Sequence, residues 1–570
     1  MSAPTDARLE EALASWRAAA EKGLRGATFE EALVQERFPG MAVPPLATAA
    51  DLPGGTGALA GVDRLGALPD RRLQGAPAWF LAPRLDLADP REANRVALGE
   101  LQGGADALWL PFDAAARLGL DPRTPAGAEA WGDGGLMAYD LEAWREMTEG
   151  VHLEMVQLLL DTGGQPLPNL APLMALVEER GLDREALAWN LGADPFGSLA
   201  GGFFSGGRRW QQEQVRELLR WTPKNLPRAR AFCLSAEPFH LGGATLAESL
   251  GLLAANLVQL LRLAEQIGFT PRELAQQVAF RLPMGRDLFL HAAGMRALRL
   301  LWRRLLESCG VADPPPAWIH AIGSRRTLSR RDPWSNLLRA TTQTMAAALG
   351  GAEAVTVCSF DEALGKPGRL GRRVARNTAL VMSEECGLGD VHDPLGGSYW
   401  AESATARLAE LAWGVMQEVE REGGIANALG KGWVQDRLAA SWERRRRDFA
   451  EGRQAIVGVT RFAMEDEDVP QGEERIGPAE AEALERWRAR AADGETPESL
   501  PVQGDAEEVD LDALTRLAAI GGDVFGLAAS ARFFCRDGRT LAPMAAIAVH
   551  RDSEDFEALS EPDSAPEVTG

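Results

Sequence analysis

The spacing of apolar residues changes along the chain. Between Leu9 and Ala20 they recur at helical spacing, which predicts a helix over Thr5–Gly23. A stretch rich in glycine and proline follows, and it has too little periodic apolar surface to fold alone. Residues 1–75 are therefore predicted to form an N-terminal arm that packs against something else.

From residue 76 onward, short apolar runs alternate with longer helical segments. Continuous apolar strands with helices between them indicate a parallel sheet that is buried on both faces. The alternation continues over more than 300 residues, which predicts an α/β fold of the closed (β/α)8 TIM-barrel type over residues 76–440. The predicted strands are Ala107–Phe112, Ala231–Ser235, Val278–Leu282, Trp318–Ile322 and Val355–Phe360, and the predicted helices include Leu246–Ile267, Arg286–Glu307 and Trp334–Leu349.

Residues 441–570 are predicted to be a helical and acidic linker region. The charged helical stretch Ala404–Ala455 contains the run Arg444–Arg447, which we interpret as a solvated or partner-facing helix side. The acidic stretch Pro470–Asp510 is expected to be a flexible insert. Leu511–Ala529 is predicted to return to helix, and the last dozen residues are expected to fray.

Charge and cysteine usage narrow the class of protein. The formal charge of the 570 residues is −22, which argues against nucleic acid or an anionic membrane as a partner. Only four of the 60 basic residues are lysines, so Schiff-base catalysis has few candidates. The five cysteines form no CxxC pair, and neither a signal peptide nor a membrane span is predicted. A cytoplasmic protein is expected.

Short motifs give little chemistry by themselves. No two of the six histidines stand four residues apart, so local spacing predicts no zinc site. The glycine-rich stretch Gly201–Arg209 lacks both a GK[ST] ending and a GxGxxG context, and we interpret it as a mobile loop. With 82 acidic residues, adjacent carboxylates such as Glu384 and Glu385 cannot identify a general acid–base pair.

Longer segments carry a family resemblance. The stretches Arg325–Arg339, Phe360–Leu364, Ala375–Thr378 and Asp393–Tyr399 resemble the methylmalonyl-CoA mutase family. The resemblance implies a (β/α)8 barrel whose axis is threaded by the pantetheine of coenzyme A, joined to a C-terminal flavodoxin-like cobalamin domain. It also implies adenosylcobalamin radical chemistry that interconverts methylmalonyl-CoA and succinyl-CoA, in which the cofactor carries the chemistry.

Three segments that face the substrate in that family differ in this chain. Glu237 and Pro238 stand where the catalytic subunits have a Tyr-His pair, and His240 falls two positions later. The family's TIQND stretch becomes Asn190–Asp194, and its RTHxQTSG stretch becomes Trp318–Arg325. In Asp390–Gly396 a leucine replaces the glycine of the cobalt-binding DxHxxG motif, so the segment is interpreted as barrel structure.

Together these departures resemble the small (β) subunit of the family. The resemblance then implies no catalytic, cofactor-binding or metal-binding residues in this chain. It implies a heterodimer in which a catalytic α (large) subunit binds adenosylcobalamin and the acyl-CoA, and the cobalamin domain is expected to be absent here. Two alternatives stay open: the substrate-binding barrel of a split acyl-CoA mutase served by a separate cobalamin subunit, and a homodimeric barrel that acts as a scaffold for another mutase.

Overall fold

Eight parallel strands surround a common axis at the centre of the chain. The computed structural model describes residues 5–24, 26–52, 78–125, 127–202, 208–391, 393–464, 469–472, 476–493, 510–534 and 546–557. Two short antiparallel strands precede the barrel, β1 (Gln35–Phe38) and β2 (Met41–Val43). The barrel strands are β3 (Phe80–Leu81), β4 (Ala107–Pro111), β5 (Gln157–Asp161), β6 (Asn190–Ala193), β7 (Arg230–Ser235), β8 (Val278–Met284), β9 (Trp318–Gly323) and β10 (Ala354–Thr356).

Hydrogen bonds join these strands into a closed ring. Their order is β3-β10-β9-β8-β7-β6-β5-β4, and neighbouring strands are parallel. A parallel bridge between Arg84, just after β3, and Trp109 in β4 joins the two ends of this order. The backbone N–H of Leu85 also donates to the carbonyl of Trp109 at 2.9 Å. The predicted (β/α)8 TIM barrel is confirmed.

Alternation along each strand separates two buried layers. Leu108 and Leu110 of β4 belong to the core between the strands and the helices. Ala107 and Trp109 of the same strand point into the barrel, because successive side chains of a strand face opposite sides. The barrel interior is filled by Phe80, Ala82, Ala107, Trp109, Leu159, Cys233, Ala279, Trp318, Ile322 and Ala354.

Helices cover the outside of the strands and continue beyond them. Their bounds are Thr5–Gly23, Phe29–Leu33, Pro90–Gln102, Ala114–Leu118, Leu141–Met147, Pro166–Arg180, Pro195–Ala200, Arg208–Asn225, Glu237–Leu241, Leu246–Gln266, Pro271–Ala275, Leu288–Ser308, Ser335–Leu349, Arg369–Leu380, Tyr399–Arg421, Ile425–Gly430, Trp433–Ala450, Pro478–Asp493, Leu511–Ala519, Val524–Phe534 and Glu554–Glu557. Short 3-10 turns lie at Ala49–Asp51 and Arg325–Thr327, and a π turn lies at Val381–Glu385.

Helix Leu246–Gln266 is the most apolar of the long helices. Thr245 and Glu248 form a capping box at its start, which satisfies backbone donors that the first turn leaves unpaired. In the described part of the chain it alone is long and apolar enough to cross a membrane, and 83% of its apolar window is buried inside the protein. Its contacts with Tyr399–Arg421 and Leu288–Ser308 place it in the core.

The strand and helix predictions were mostly confirmed. All five predicted strands are present, but β10 ends at Thr356, whereas the prediction extended to Phe360. The sequence interpretation missed the hairpin strands β1 and β2 and the barrel strands β3, β5 and β6. The single helix predicted over Leu511–Ala529 is wrong, because Gly521, with a φ of +106°, breaks it into two helices.

The stretch predicted as a flexible acidic insert contains an ordered helix. Pro478–Asp493 is helical, and the side chain of Trp487 is buried against Tyr139, with ring centroids 4.9 Å apart. The prediction for the rest of this insert, and for the last dozen residues, falls largely outside the described residues. The helix Trp433–Ala450 continues through the proposed boundary at residues 440 and 441, and the division into domains stays a prediction.

The N-terminal arm is tied to the barrel through its hairpin. The predicted helix Thr5–Gly23 is confirmed, and Trp16 packs edge-on against Phe29 at 5.4 Å. In the β1–β2 hairpin, the carbonyl of Gly40 accepts a hydrogen bond from Arg407 at 2.9 Å. Met41 is buried in the main core. The hairpin therefore anchors the arm on helix Tyr399–Arg421.

Residues 546–557, which we call the mouth segment, lie across the carboxyl end of the barrel. The N–H of Ile547 donates to the carbonyl of Ala200 at 3.1 Å, and the N–H of His550 donates to that of Leu241 at 2.9 Å. The N–H of Asp552 donates to the carbonyl of Arg326 at 2.7 Å. These acceptors follow β6, β7 and β9, so the mouth segment connects three loops at the end of the barrel where enzymes of this fold place their active sites.

Candidate functional site

A cavity of about 520 Å³ lies between the carboxyl ends of the strands and the mouth segment. Its floor includes Arg281 of β8 and Asp161 at the end of β5. Glu237 and Pro238, which replace the Tyr-His pair, line one wall. The structure therefore places the substituted pair at the barrel mouth, where the resemblance predicted it.

Glu237 is enclosed by arginines. Its Oε1 accepts a hydrogen bond from Arg325 Nη2 at 2.8 Å, and Arg84 Nη1 lies 3.9 Å from the same oxygen. Burial alone would raise the pKa of Glu237, but the charges of Arg325, Arg84 and Arg281 outweigh it and lower the pKa to about 2. The carboxylate is therefore a fixed anion at neutral pH and a poor proton donor.

His240 is held by contacts with Ser324 and Arg326 of the same chain. Its Nε2 lies 2.6 Å from Ser324 Oγ, and its carbonyl accepts from Arg326 Nη1. Burial, and then the charge of Arg326, hold the pKa of His240 well below its usual value, so the imidazole is neutral. The conclusion from the sequence that His240 should not be credited with the catalytic histidine's role stays an expectation.

A second ion cluster holds the mouth segment. Asp552 Oδ1 accepts from Arg445 Nε at 2.7 Å, Asp552 Oδ2 lies 3.1 Å from Arg286 Nη2, and Arg326 Nε lies 3.6 Å from Asp552 Oδ1. Burial would raise the pKa of Asp552, yet the arginines Arg445, Arg286 and Arg326 lower it to about 2. Arg445 belongs to the run that we interpreted as solvated or partner-facing. For this residue the interpretation is wrong, because the side chain binds within the chain.

Gly192, which stands at the position of the glutamine in the family's TIQND stretch, lies where the structure leaves no room for a side chain. The glycine, in β6, has a φ of +74°, and a Cβ at this position would lie 2.0 Å from the carbonyl oxygen of Leu160. A register shift separates Asn190 from Ala193 at this point in the sheet. The backbone of Leu160 therefore occupies the space that a side chain at position 192 would need.

Large side chains occupy the barrel axis below the cavity. The guanidinium groups of Arg84 and Arg281 lie 4.8 and 4.4 Å from the ring centroid of Trp109. His320 contacts the same indole edge-on at 5.2 Å, and its Nε2 lies 2.7 Å from Thr356 Oγ1. Trp318 is part of the same interior layer.

The remaining sequence candidates lie apart from this cavity or outside the described residues. His392 of the segment Asp390–Gly396 lies outside them, as do residues 203–207 of the glycine-rich stretch. Lys366, one of the four lysines, binds Glu92 and, at 2.8 Å, Glu480. Across the residues that the structure describes, no three histidine, cysteine or acidic side chains are grouped to hold a metal ion.

The ionic partners at the mouth were not found from the sequence. Arg84 and Arg325 both contact Glu237, although 153 and 88 residues separate them from it. Asp552 was not singled out either. A single buried acid or arginine has no local signature, and only the barrel closure that pairs Trp109 of β4 with the chain after β3 brings Arg84 to this place.

The site does not fit adenosylcobalamin. Among the described histidines near the mouth, His240 is bonded to Ser324, and His550 stacks on Trp442 at 4.5 Å with its Nδ1 3.2 Å from Glu554 Oε1. The arrangement offers both ionic and apolar surfaces, and at neutral pH Glu237 is anionic and His240 is neutral.

Comparison with known proteins supports the family resemblance. The model of the methylmalonyl-CoA mutase family matches residues 71–520. A methylmalonyl-CoA mutase small subunit from Streptomyces virginiae is 36% identical over 445 residues, which cover 78% of this chain and 68% of the relative. A methylmalonyl-CoA mutase from Cereibacter sphaeroides is 28% identical over 539 residues, covering 92% and 73%. One from Escherichia coli is 28% identical over 461 residues, covering 80% and 64%. With this match, the barrel and the mouth geometry, the chain belongs to the methylmalonyl-CoA mutase family.

Proposed function

We propose that the chain is the small (β) subunit of a heterodimeric methylmalonyl-CoA mutase, an isomerase, and that it supports the catalytic α subunit without performing the reaction. The observation that carries the proposal is the ion cluster of Glu237 with Arg325 and Arg84. By the family resemblance, Glu237 and Pro238 stand where the catalytic subunits contact the reacting acyl group. The proposal is also supported by the similarity to a protein of Streptomyces virginiae that is named a methylmalonyl-CoA mutase small subunit.

The chemistry of the substituted pair argues against turnover here. A phenol and an imidazole donate and accept hydrogen bonds, whereas the side chain of Pro238 can do neither. Glu237 is anionic, and an anion here repels the carboxylate of an acyl-CoA substrate. Gly192 supplies no side chain at the position of the substrate-facing glutamine.

The side chains that fill the barrel axis also argue against substrate binding in this chain. A pantetheine chain that threads a barrel needs a narrow passage along the axis. Trp109, Trp318 and His320 fill this space in the interior layer and contact one another or their neighbours. To admit the chain, the barrel would have to displace buried aromatic side chains, each of which contributes a large apolar contact area.

In this proposal the partner subunit provides the cofactor and substrate sites. The α subunit binds adenosylcobalamin and the acyl-CoA, and the assembly works in the cytoplasm. Residues 1–75 form the arm, 76–440 the barrel and 441–570 the linker region. An obligate interface of this kind commonly buries more than about 2,000 Å².

The test is co-expression with a cobalamin-containing large subunit, followed by size-exclusion chromatography and a mutase assay. We expect a one-to-one complex whose turnover per α subunit is unchanged by Glu237→Ala in this chain. The exposed Glu410→Ala on helix Tyr399–Arg421 serves as the matched control. Failure to form the complex, together with activity when a small cobalamin-binding protein is added, would instead make this chain the substrate-binding barrel of a split mutase.

A further inference from the structure

A loop at residues 455–462 packs beside the start of the helix that follows β9. Arg339 Nη2 of that helix donates to the carbonyl of Val457 at 2.6 Å. The loop also closes on itself, since the N–H of Gly458 donates to the carbonyl of Arg461 at 2.8 Å. This loop, which we call the rim loop, is therefore held in one place against the helix.

The rim loop buries two of its apolar side chains and exposes two others. Ile456 and Val459 are buried against Phe449, and Phe556 of the mouth segment packs on the same cluster. Val457 is exposed, and the side chain of Phe462 is 82% exposed. Packing within the chain accounts for the first pair of side chains and leaves the second pair in water.

The backbone at Phe462 is strained. Its φ of +57° lies in the left-handed region, which costs free energy for a residue with a bulky side chain. Among the described residues other than glycine, only Asp393 shares a positive φ. Strained residues cluster at functional sites. The rim loop thus holds a large apolar side chain in solvent, in a conformation that local backbone preferences oppose.

Side chains of the neighbouring helix extend this exposed surface. Trp334 and Leu338 stand four residues apart at the start of the helix, so they lie on the same face, and both are exposed. With Val457, Phe462 and the exposed Met464 they form what we call the rim patch. At about 150–250 Å² for a large side chain in full exposure, their exposed fractions correspond to roughly 500 Å².

The area of the rim patch matches the apolar part of a protein interface. One side of a standard interface buries about 800 Å², of which somewhat more than half is apolar. Exposed apolar patches of about 300–600 Å² are the largest on a typical monomer and are often functional. The rim patch is therefore large enough to form the centre of one stable interface.

The charges beside the rim patch are positive. Arg330, Arg331 and Arg461 flank its side chains along the chain, and none of them forms an ion pair with another described residue. Asp332 is buried and accepts from the N–H of Ser335 at 3.0 Å. Two copies that met here about a two-fold axis would bring the same arginines together, which is unfavourable. The patch therefore suits a different protein that presents carboxylates around an apolar centre.

We propose that the rim patch is the surface on which this chain binds the large subunit, with Leu338 and Phe462 at the middle of the contact. The inference rests on the function proposed above and names the surface that this function requires. Tryptophan and arginine side chains contribute most of the binding energy in many protein interfaces, and the rim patch and its surroundings contain both.

The test is co-expression with a cobalamin-containing large subunit, followed by measurement of the dissociation constant by analytical ultracentrifugation. We expect Leu338→Asp and Phe462→Asp to weaken the complex at least tenfold. Ile520→Asp is the matched control and should leave the affinity unchanged, because Ile520 is 71% exposed and Leu338 is 70% exposed. Ile520 follows helix Leu511–Ala519, which packs on helix Pro166–Arg180. Thermal unfolding checks that each variant is folded.

Phe462→Gly separates a role in binding from a role in stability. Glycine adopts a positive φ without strain, so the midpoint of thermal unfolding of the isolated chain should stay the same or rise. The complex should nevertheless weaken at least tenfold. A variant that loses stability and keeps its affinity for the large subunit would show that the Phe462 side chain serves the fold of this chain, and would overturn the proposal.

Other outcomes identify a different occupant of the rim patch. A wild-type complex that Leu338→Asp and Phe462→Asp leave unchanged overturns the proposal and leaves the proposed function intact. A chain that is dimeric alone, and monomeric as Leu338→Asp, assigns the patch to a second copy. Faster hydrogen exchange of the isolated chain at residues 455–462 after replacement of the acidic run 465–468 by serine assigns the patch to that run. If the wild-type chain forms no complex, the proposed function fails and this inference fails with it.

Discussion

Glu237 shows how one buried carboxylate can neutralise a group of arginines. A buried ion pair costs desolvation energy, and removal of one partner leaves the others uncompensated. Glu237 contacts Arg325 at 2.8 Å and lies 3.9 Å from Arg84. In this chain the residue therefore stabilises the barrel mouth, at the place where the resemblance gives the catalytic members of the family a Tyr-His pair.

Glu237→Gln should lower the free energy of unfolding by about 2–3 kcal/mol at pH 7, because the arginines lose their counter-charge. The pKa of Glu237 is lowered to about 2 in the folded protein. Its stabilisation is therefore present above the unfolded pKa and lost as the pH falls through about 2. Urea unfolding from pH 7 to pH 3 should show the difference from wild type shrinking. The exposed Glu410→Gln should show no such trend.

For single residues, the sequence shows which family residues are substituted, but it does not show which contacts the new side chains make. The presence of Glu237 and Pro238 in the mouth was predictable from the resemblance. Their partner Arg84 was not, because a contact across the barrel depends on ring closure between β3 and β4. The position of Arg281 at the floor of the cavity has no sequence signal either, since an arginine in an apolar strand can equally be paired or exposed.

The element that differs most from a regular strand is β6. It has four residues, contains Gly192 in the left-handed region and shifts register against β7. A bulge of this kind re-aims the chain at a sheet edge or a barrel rim. Here it lets Asp194 cap helix Pro195–Ala200 through the N–H of Gly197.

Gly192→Ala should destabilise the protein by about 3–5 kcal/mol, because its Cβ would meet a backbone oxygen and its φ would be strained. Gly414→Ala is the matched control. A Cβ at Gly414, within helix Tyr399–Arg421, meets nothing within 4 Å, and we expect a gain of about 0.5–1 kcal/mol. Thermal unfolding measures both. Equal effects of the two changes would contradict the close approach at Gly192.

Two of the missed barrel strands are short or interrupted, whereas β5 contains the apolar run Leu158, Leu159 and Leu160 and was overlooked although its pattern is detectable. β3 has only two residues, and β6 interrupts its apolar residues with Asn190 and Gly192. β7, β8 and β9 are longer continuous runs, so their apolar pattern is detectable. Barrel closure stabilises strands that the local sequence pattern does not predict, because each short strand is hydrogen-bonded to neighbours on both sides.

For the whole molecule, Asp552 connects the last described segment to the barrel. Its partners are Arg286 beside β8, Arg326 after β9 and Arg445 in helix Trp433–Ala450. Arg286 and Arg326 stand 266 and 226 residues before Asp552, and Arg445 stands 107 residues before it. No local reading of the sequence could assemble them, although the family resemblance correctly gave the barrel on which they meet.

Asp552→Asn should release the mouth segment, because three arginines lose a shared carboxylate that is worth about 3–5 kcal/mol in comparable buried pairs. Hydrogen exchange and limited proteolysis should show faster cleavage and exchange at residues 546–557. Asp555→Asn is the matched control, since Asp555 pairs with Arg446 on the surface. Unchanged protection in Asp552→Asn would mean that the backbone hydrogen bonds of the segment suffice to hold it.

The position of the mouth segment in the chain also sets an order of events during synthesis. The barrel's last strand, β10, ends at Thr356, and the mouth segment begins about 190 residues later. At about 5–20 residues per second, a ribosome needs roughly 10–40 seconds to make the intervening chain. Over that interval the nascent barrel is open at one end and its arginines lack Asp552. The cavity gains the wall that Ile547, Val549 and His550 supply only after residues 546–557 have been made.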